Sequence, residues 1–554
     1  MLPSINKFVL RPTVLLLALA PWALAQQANQ AAPDTWRISG KAVDALSGAP
    51  LARCSVEIGP PSNGGGSRSM ETGEDGQFVF DGLAQGKYRL SASKRGYLPQ
   101  AYEAHDNFST AIVVGPSLKS EGLVFKVVPQ AVISGTVTDE QGEPVRRAQV
   151  RLLKDQERLG IHSTVLRQTE MTDDRGMYQL GRIDPGNYYL AFSAQPWYAQ
   201  AIRLPQPMGK QEQEADSPLD VAYPTTFYPP ATDSEDATPI PIKGGERIQA
   251  NVTLNAQKAL RVRIRLPVQD SGQQGGFRLM VSQSLFGQVE TVGVPAFQAQ
   301  NGVMEIPGIL PGHYDFEFTP RQTFAPVTRS PEPGASGPGR DPIHFSGDVT
   351  SGTTELTPQD AESEVTVTGK VTSADGKIPS GAITLRSAHQ RRPYTATLDK
   401  AAEFNLKVPP GDYEIVGQIP QMYLAQLTAQ DGEVKNRVLT VKAGSAPKLE
   451  LLASKGAGQI EGFVRRGDQP VSGVMVVLAP DDNTFLFRRD QSDSDGSFTL
   501  SNVVPGRYRL LAVEQGWELE WANPNVLHAF LKKSVPVEVH PDDKLTRMLE
   551  VQSR

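Results

Sequence analysis

The residues of this 554-residue chain that could carry catalysis or bind a metal are seven histidines, one cysteine and scattered carboxylates. A zinc peptidase site needs a His-x-x-Glu pair and a distant His, because neutral imidazoles and a carboxylate leave one zinc position open. No histidine has Glu at the third following position, and the nearest approach is His540 before Pro541-Asp542-Asp543. His-Glu-x-x-His, Gly-x-Ser-x-Gly and Gly-x-x-x-x-Gly-Lys are also absent. The sequence therefore predicts no catalytic residue, no metal site and no cofactor.

Aromatic side chains are the second group that could do chemistry, since an exposed ring face can stack on a sugar. They recur nine or ten residues after a repeated tyrosine, at Tyr97, Trp197, Phe324, Tyr423 and Trp517. The candidate ligand-binding residues are Tyr97, Trp197, Tyr198, Trp517 and Trp521. The alternative is that the recurring ring closes the open end of its own domain, a packing role that every copy would share.

The elements that must position these rings are repeated units. The pattern Gly-x-Tyr occurs five times, with its tyrosines at Tyr88, Tyr188, Tyr314, Tyr413 and Tyr508. Spacings of about 100 residues correspond to whole domains rather than to solenoid repeats. Asp-Gly, Asn-Gly or Arg-Gly stands ten residues before the glycine in four copies, and a two-residue turn with positive φ at both positions is expected there.

Alternating strands fill each unit, with about seven short strands per 100 residues and no helical period. The sequence predicts an all-β protein, a tandem array of five antiparallel Greek-key β-sandwich domains after a signal peptide. The predicted boundaries are 1–25 for the signal peptide and 34–128, 129–257, 258–360, 361–454 and 455–554 for the sandwiches. The third sandwich is divergent and carries a Pro/Gly/Ser-rich insert, 320–342, that is expected to be mobile.

The two ends and the composition indicate an exported protein. Lys7 and Arg11 precede a short apolar run, and Ala23-Leu24-Ala25 is an A-x-A cleavage site. No later segment is apolar for long enough to insert into a membrane. The net charge of −6, with mixed signs, argues against nucleic acid as a partner. The single cysteine, Cys54, falls on an inward-facing strand position and is expected to be a buried small hydrophobe.

The repeat resembles the carboxypeptidase regulatory-like domain, a prealbumin-like sandwich that is similar to carbohydrate-binding domains and to collagen-adhesin B repeats. The residues that carry the resemblance are the opening Ile133-Ser134-Gly135-Thr136-Val137, the Asp495-Gly496-Ser497-Phe498 turn and the Pro505-Gly506-Arg507-Tyr508 corner. In adhesin repeats a Glu four residues after the tyrosine promotes an isopeptide bond. Here those positions are Ala92, Phe192, Phe318, Gly417 and Ala512, so that bond is not expected.

Two functions remain open at this point. The first is a non-enzymatic, periplasmic or extracellular protein that binds carbohydrate or another envelope polymer through its end-loop aromatics, with several weak sites adding avidity. The second is a structural stalk or scaffold whose partner is another protein. Aspartates near two hairpins, Asp173-Asp174 and Asp493 with Asp495, are expected to cap their own turns rather than bind calcium.

Overall fold

A computed structural model gives the structure of the chain. It describes residues 35–60, 66–158, 160–199, 218–265, 277–286, 288–293, 303–320, 343–351, 355–356, 364–387, 393–481 and 486–553. The predicted signal peptide 1–25, most of the predicted insert 320–342, and the Asn301-Gly302 turn lie outside the described residues.

The first two sandwiches contain the strands up to residue 258. Sandwich 1 has β1 (Trp36–Asp44), β2 (Ser55–Gly59), β3 (Arg68–Glu71), β4 (Gln77–Leu83), β5 (Gly86–Ser93), β6 (Gln100–Ala101), β7 (Ile112–Val114) and β8 (Leu123–Val127). Sandwich 2 has β9 (Ala131–Thr138), β10 (Gln149–Arg158), β11 (Ile161–Met171), β12 (Met177–Ile183), β13 (Gly186–Ser193), β14 (Val221–Ala222), β15 (Thr226–Tyr228), β16 (Ile240–Ile242), β17 (Arg247–Gln249), β18 (Val252–Thr253) and β19 (Gln257–Lys258).

Three further sandwiches follow. Sandwich 3 has β20 (Leu260–Arg265), β21 (Phe277–Leu285), β22 (Gln288–Val292), β23 (Val303–Ile309), β24 (Gly312–Pro320), β25 (Ile343–Val349) and β26 (Glu355–Leu356). Sandwich 4 has β27 (Val365–Ser373), β28 (Ala382–Arg386), β29 (Tyr394–Thr397), β30 (Glu403–Val408), β31 (Gly411–Gln418), β32 (Tyr423–Gln430), β33 (Glu433–Lys435), β34 (Val438–Val441) and β35 (Lys448–Ser454). Sandwich 5 has β36 (Gly458–Arg466), β37 (Gln469–Pro470), β38 (Met475–Pro480), β39 (Arg488–Gln491), β40 (Ser497–Val503), β41 (Gly506–Val513), a 3₁₀ turn (Gly516–Glu518), α1 (Pro524–Leu531), β42 (Val535–Val539) and β43 (Lys544–Glu550).

Each sandwich is a pair of small sheets, which confirms the predicted all-β tandem fold. In sandwich 1 the sheets are β4-β1-β8 and β3-β2-β5-β6, and in sandwich 5 β40-β36-β43 and β39-β38-β41-β42 are the corresponding strands. The first strand of each sandwich departs from the antiparallel expectation, because it pairs in parallel with a strand near the end, as β1 does with β8 and β36 with β43. In sandwich 2, β9 pairs in parallel with two such strands, β17 and β18. A parallel first and last strand place the entry and exit of the chain at opposite ends, which suits a tandem array.

The repeated tyrosine anchors the second sheet of every sandwich. Its hydroxyl donates to the carbonyl four residues earlier, for example from Tyr188 to Asp184 at 2.8 Å and from Tyr413 to Pro409 at 2.8 Å. Tyr188, Tyr413 and Tyr508 are fully buried, and burial raises the pKa of Tyr508 to about 12. Cys54 is also buried in the core of sandwich 1, as predicted.

The repeated hairpin turn differs from the predicted one. Only the glycine has positive φ, +70° at Gly176, whereas positive φ was expected at two adjacent residues. The Gly176 amide donates to Asp173 O at 3.1 Å, so residues 173–176 form a four-residue turn. The last residue of this turn, Gly176, has the left-handed conformation. Glycine is required there because a Cβ on Gly176 would lie 2.4 Å from Val137 O. Asp173 accepts from the amides of Arg175 and Met177 at 3.0 and 2.7 Å, which is the expected turn-capping role.

Neighbouring sandwiches are joined by side-chain contacts as well as by the chain. Between sandwiches 2 and 3, Arg151 and Glu290 form a buried ion pair with an Nη1–Oε2 distance of 2.7 Å. Beside it, the ring of Phe286 lies 4.3 Å from that of Tyr189 and 5.6 Å from that of Phe227, measured between centroids. These contacts restrict movement at that joint.

Candidate functional site

The candidate aromatics lie after the Gly-x-Tyr strand of their sandwiches, and the structure separates them into three settings. Tyr97 lies at the joint between sandwiches 1 and 2, where its hydroxyl donates to Asp44 Oδ2 at 2.9 Å and its backbone bridges to Pro129. Burial and the Asp44 carboxylate raise the pKa of the Tyr97 phenol. Tyr97 therefore helps to fix one sandwich against the next.

Trp197 is the candidate that presents its ring to solvent, with 79% of the residue exposed. The ring of Tyr198 stands at 89° to it with centroids 5.8 Å apart. The Tyr198 hydroxyl donates to Glu140 and also hydrogen-bonds with buried Tyr223, and burial raises the pKa of Tyr198 to about 12. We call Trp197, Tyr198, Tyr223 and Glu140 the Trp197 platform. It combines an exposed apolar face with fixed polar groups.

Trp517 lies instead where sandwich 5 meets sandwich 1, and Trp521 lies where sandwich 5 meets the β10–β11 hairpin of sandwich 2. The ring of Trp517 stacks on His105 of sandwich 1, with centroids 4.9 Å apart and planes at 6°, and its Nε1 donates to Gly473 O at 3.1 Å. Trp521 is only 8% exposed. The guanidinium of Arg489 lies 4.4 Å from the centroid of Trp521 and 5.9 Å from that of Trp517. These two rings are occupied by protein contacts.

The contact between sandwiches 1 and 5 is also held by a polar network, and we call it the closing junction. The backbone takes part directly, since Ser494 N donates to Ala111 O at 3.0 Å and Ala111 N donates to Asp493 Oδ1 at 2.9 Å. Gln491 is 2% exposed and donates through Nε2 to Glu103 O at 2.7 Å and to Thr110 Oγ1 at 2.8 Å. Buried polar groups are thus satisfied across the two sandwiches.

Charge at the closing junction is carried by Arg489, Asp490 and Asp493 of sandwich 5 and by Lys87 and Asp106 of sandwich 1. Lys87 Nζ lies 2.6 Å from Asp493 Oδ2. Burial raises the pKa of Asp493, although Lys87 opposes the shift. Burial also raises the pKa of Asp490 to about 6 and lowers that of the Arg489 guanidinium. The junction is therefore a partly desolvated electrostatic contact between two domains that are remote in sequence.

The sequence interpretation did not identify the closing junction. Asp493 was expected to cap its own turn, as Asp173 does, but its carboxylate oxygens accept from Ala111 and Lys87 of sandwich 1. The one available signal was an aromatic and a histidine, Phe108 and His105, within the polar loop of sandwich 1.

An open cleft of about 900 Å³ lies between sandwiches 4 and 5. Its walls carry charges from both sides, including Glu433 and Lys435, and an apolar part formed by Phe487 and Leu531. The charges of sandwich 5 are partly neutralised within the cleft, because Arg509 Nε lies 3.6 Å from Asp481 Oδ1. No helix in the described part of the chain has both the length and the hydropathy of a membrane span.

Comparison with known proteins gives matches for domains and for solved structures. Residues 37–114 and 132–216 match the carboxypeptidase regulatory-like domain. Residues 457–538 match the second beta sandwich domain of BOS complex subunit NOMO1-like proteins. No curated protein matches the chain.

Several solved bacterial structures align with the chain at low similarity. The Bacillus anthracis TIE protein is 9% identical with a TM-score of 0.17, and the alignment covers 94% of this chain and 76% of that one. BcpA, the major pilin subunit of Bacillus cereus, is 11% identical with a TM-score of 0.15, over 76% and 99% of the two chains. GBS52, the minor pilin of Streptococcus agalactiae, is 12% identical with a TM-score of 0.20, over 43% and 99%.

Likeness to solved structures at that level carries no information about function. The domain matches are different, because they fall on the residues that form sandwiches 1, 2 and 5. The chain is a tandem β-sandwich protein that contains carboxypeptidase regulatory-like domains and a NOMO1-like sandwich.

Proposed function

We propose that this chain is an exported, non-enzymatic binding protein that contacts a carbohydrate polymer through the Trp197 platform. The observation that carries the proposal is the 79% exposure of Trp197, whose indole has its aromatic contact with Tyr198 of the same loop. Exposing a tryptophan to water without a ligand forgoes the stabilisation that its burial would give. Export rests on the signal-like pattern of residues 1–25.

The chemistry of the platform suits a sugar. The exposed indole face of Trp197 offers apolar area to the axial C–H groups of a pyranose ring. The Glu140 carboxylate and the Tyr198 hydroxyl are already fixed by hydrogen bonds, so they can meet sugar hydroxyls without losing much side-chain entropy. The site is therefore pre-organised for stacking with one or two directional hydrogen bonds.

The platform replaces the multivalent array that the recurring aromatics suggested. Trp517 is covered by the closing junction, Trp521 is buried against Arg489 and the hairpin of sandwich 2, and Tyr97 holds a domain joint. Avidity from several equivalent end loops is not part of the proposal. Binding by Tyr97, Trp517 and Trp521 would require these contacts to open.

A binding screen on polysaccharides and glycans tests the proposal. The purified 26–554 chain should bind at least one carbohydrate, and Trp197→Ala should weaken that binding about tenfold, in line with the roughly 0.5–1.5 kcal/mol of an aromatic contact. Trp197→Phe should retain most of the affinity. Ile378→Ala is the matched control, since Ile378 is an apolar side chain of similar exposure, 70%, on sandwich 4. Equal binding by the wild type and Trp197→Ala would overturn the assignment of the site.

A second candidate is a scaffold for a protein partner, and the closing junction favours it. Because sandwiches 1 and 5 are in contact, the described conformation is closed rather than a straight stalk, and its surfaces keep a fixed arrangement. Small-angle scattering should give the dimensions of a closed body, and Lys87→Glu, which places a carboxylate beside Asp493, should increase the radius of gyration. Absence of glycan binding together with this closed form would make the scaffold the better account.

A further inference from the structure

A second contact between sandwiches that are distant in sequence is made by the long hairpin of β10 and β11 in sandwich 2. The turn of this hairpin touches sandwich 5, because Ala522 N donates to Gly160 O at 3.0 Å. The approach is close, since a Cβ on Gly160 would lie 2.6 Å from Trp521 Cδ2 and from Ala522 N. The hairpin of sandwich 2 is thus docked on the loop that precedes α1.

Ionisable side chains meet at this contact. Glu157 and His162 of the hairpin and Glu520 of sandwich 5 each offer one ligand atom, and these three atoms all lie within 4.8 Å of one another. The Nδ1 atom of His162 is 3.7 Å from Glu157 Oε1. An imidazole and two carboxylates from two sandwiches therefore converge on one point.

Asp155 holds the other ring nitrogen of His162. Its Oδ1 atom lies 2.8 Å from His162 Nε2, which leaves the Nδ1 atom of His162 facing Glu157. Metal-bound histidines commonly direct their second ring nitrogen at a carboxylate, which fixes the ring, and Asp155 stands in that position.

The charges around His162 also favour a bound cation. The hairpin itself carries the Asp155 and Glu157 carboxylates on either side of His162, and its docking adds the Glu520 carboxylate of sandwich 5. The contact therefore brings like charges together, and a bound cation would turn this repulsion into attraction.

We propose that Glu157, His162 and Glu520 bind a divalent cation of the zinc class, with Asp155 as a positioning residue behind His162. One nitrogen and two carboxylate ligands are a donor set that Zn²⁺ accepts, whereas Ca²⁺ and Mg²⁺ prefer oxygen alone. The ion clamps the hairpin of sandwich 2 to sandwich 5. The sequence predicted no metal site, because the ligands lie 358 residues apart and form no local motif.

Calorimetric titration with Zn²⁺ tests the site. The 26–554 chain, purified without a histidine tag and stripped with a chelator, should bind one Zn²⁺ per chain at this contact. His162→Ala and Glu520→Gln should each weaken binding at least tenfold, and Asp155→Asn should weaken it about 10- to 100-fold. His528→Ala on α1 is the matched control, since His528 is an exposed histidine near the contact in sequence, and it should leave the affinity unchanged.

Hydrogen exchange supplies a readout that does not depend on the stability of a variant. Zn²⁺ should slow amide exchange in residues 155–162 and 516–523 of the wild-type chain and leave sandwich 4 unchanged. The proposal is overturned if the wild type shows no saturable Zn²⁺ binding, if His162→Ala and Glu520→Gln bind as tightly as His528→Ala, or if Ca²⁺ binds in preference to Zn²⁺.

Discussion

Trp197 and Trp517 occupy the same position of the repeat, nine residues after Tyr188 and Tyr508, yet their surroundings are opposite. Trp197 is 79% exposed and touches Tyr198 of its own loop. Trp517 stacks on His105 of a different sandwich and lies beside Arg489. A recurring residue therefore indicates a recurring place in the fold, whereas its role depends on what that place faces in the assembled chain.

The turn aspartates show the same divergence. Asp173 in sandwich 2 accepts from two amides of its own turn. The equivalent Asp493 in sandwich 5 accepts from the Ala111 amide and from Lys87, both in sandwich 1. One local motif thus serves the turn in one copy and the closing junction in another.

The largest effect should come from removing a buried tryptophan ring from sandwich 5. We expect Trp521→Ala to lower the local free energy of unfolding of sandwich 5 by about 3–5 kcal/mol, the usual cost of deleting a buried aromatic side chain. Native-state hydrogen exchange over β38 and β41 measures it. Trp521 packs in a cluster with Met475 and Leu511 of these strands.

The matched change in the exposed Trp197 platform is Trp197→Ala. Because that ring is exposed, the free energy of unfolding of sandwich 2 should change by less than about 0.5 kcal/mol. Similar losses in the two variants would remove the distinction between an exposed platform and a packed junction.

The closing junction and the Trp197 platform should also differ in how their stability depends on pH, with an effect of intermediate size. The pKa of Asp490 is raised to about 6 in the folded chain, from the 3.8 of a free carboxyl. The folded state then binds more protons than the unfolded state, so the stability contributed by this group is full below about pH 4 and is lost as the pH rises through about 6. The shift corresponds to roughly 3 kcal/mol at most.

Denaturant unfolding of the wild type and Asp490→Asn between pH 4 and pH 8 measures this contribution. The difference between the two curves should change with pH and level off above about pH 7. Tyr198 of the Trp197 platform, with its pKa raised to about 12, gives no titration in that range. A pH-independent difference would mean that Asp490 does not titrate as proposed.

A smaller effect than that of Asp490 concerns the turn of sandwich 4, which has alanine where sandwich 2 has Gly176. Ala402 has a φ of +58°, and its amide donates to Asp399 O at 3.0 Å as the Gly176 amide does to Asp173 O. A left-handed conformation costs a residue with a Cβ about 1–2 kcal/mol. Ala402→Gly relieves this strain, but it adds freedom to the unfolded chain and removes a methyl group that is only 1% exposed, so the free energy of unfolding should change by less than about 0.5 kcal/mol.

Ala396→Gly in strand β29 is the control for this prediction. It removes the same methyl group where φ is not positive, and it should lower the free energy of unfolding by about 0.5–1 kcal/mol. Thermal or denaturant unfolding of both variants gives the comparison. A clearly smaller loss of stability is expected for Ala402→Gly than for Ala396→Gly, and equal losses would contradict the strain assigned to Ala402.

The fold could be predicted from the sequence because its determinants are local. Alternation placed Cys54 in the core, and Gly-x-Tyr marked the anchored strand of each sandwich. The turn geometry at Gly176 was wrong in detail, since the dipeptide pattern does not reveal the approach of Val137 O. The parallel pairing of β1 with β8 was also missed, because strand patterns do not encode direction.

The candidate site could be predicted only in part. The sequence placed Trp197 in an end loop, where it lies, but treated Trp517 as its equivalent. Trp517 differs from Trp197 because it contacts His105 and Arg489. The sequence next to Trp517 does not indicate a contact with sandwich 1. Contacts between sandwiches join residues that are hundreds of positions apart, as Lys87 and Asp493 are, and pattern reasoning over short windows does not reach them.

The closing junction can form only after most of the chain has been synthesised. Lys87 and Asp493 are separated by 406 residues, and at roughly 5–20 residues per second a ribosome needs about 20–80 s to travel from one to the other. During that interval sandwich 1 is complete while His105 and Phe108 have no partner to cover them. A chain interrupted after sandwich 4 would leave that surface uncovered, because Trp517 of sandwich 5 is the ring that packs on His105 and Phe108.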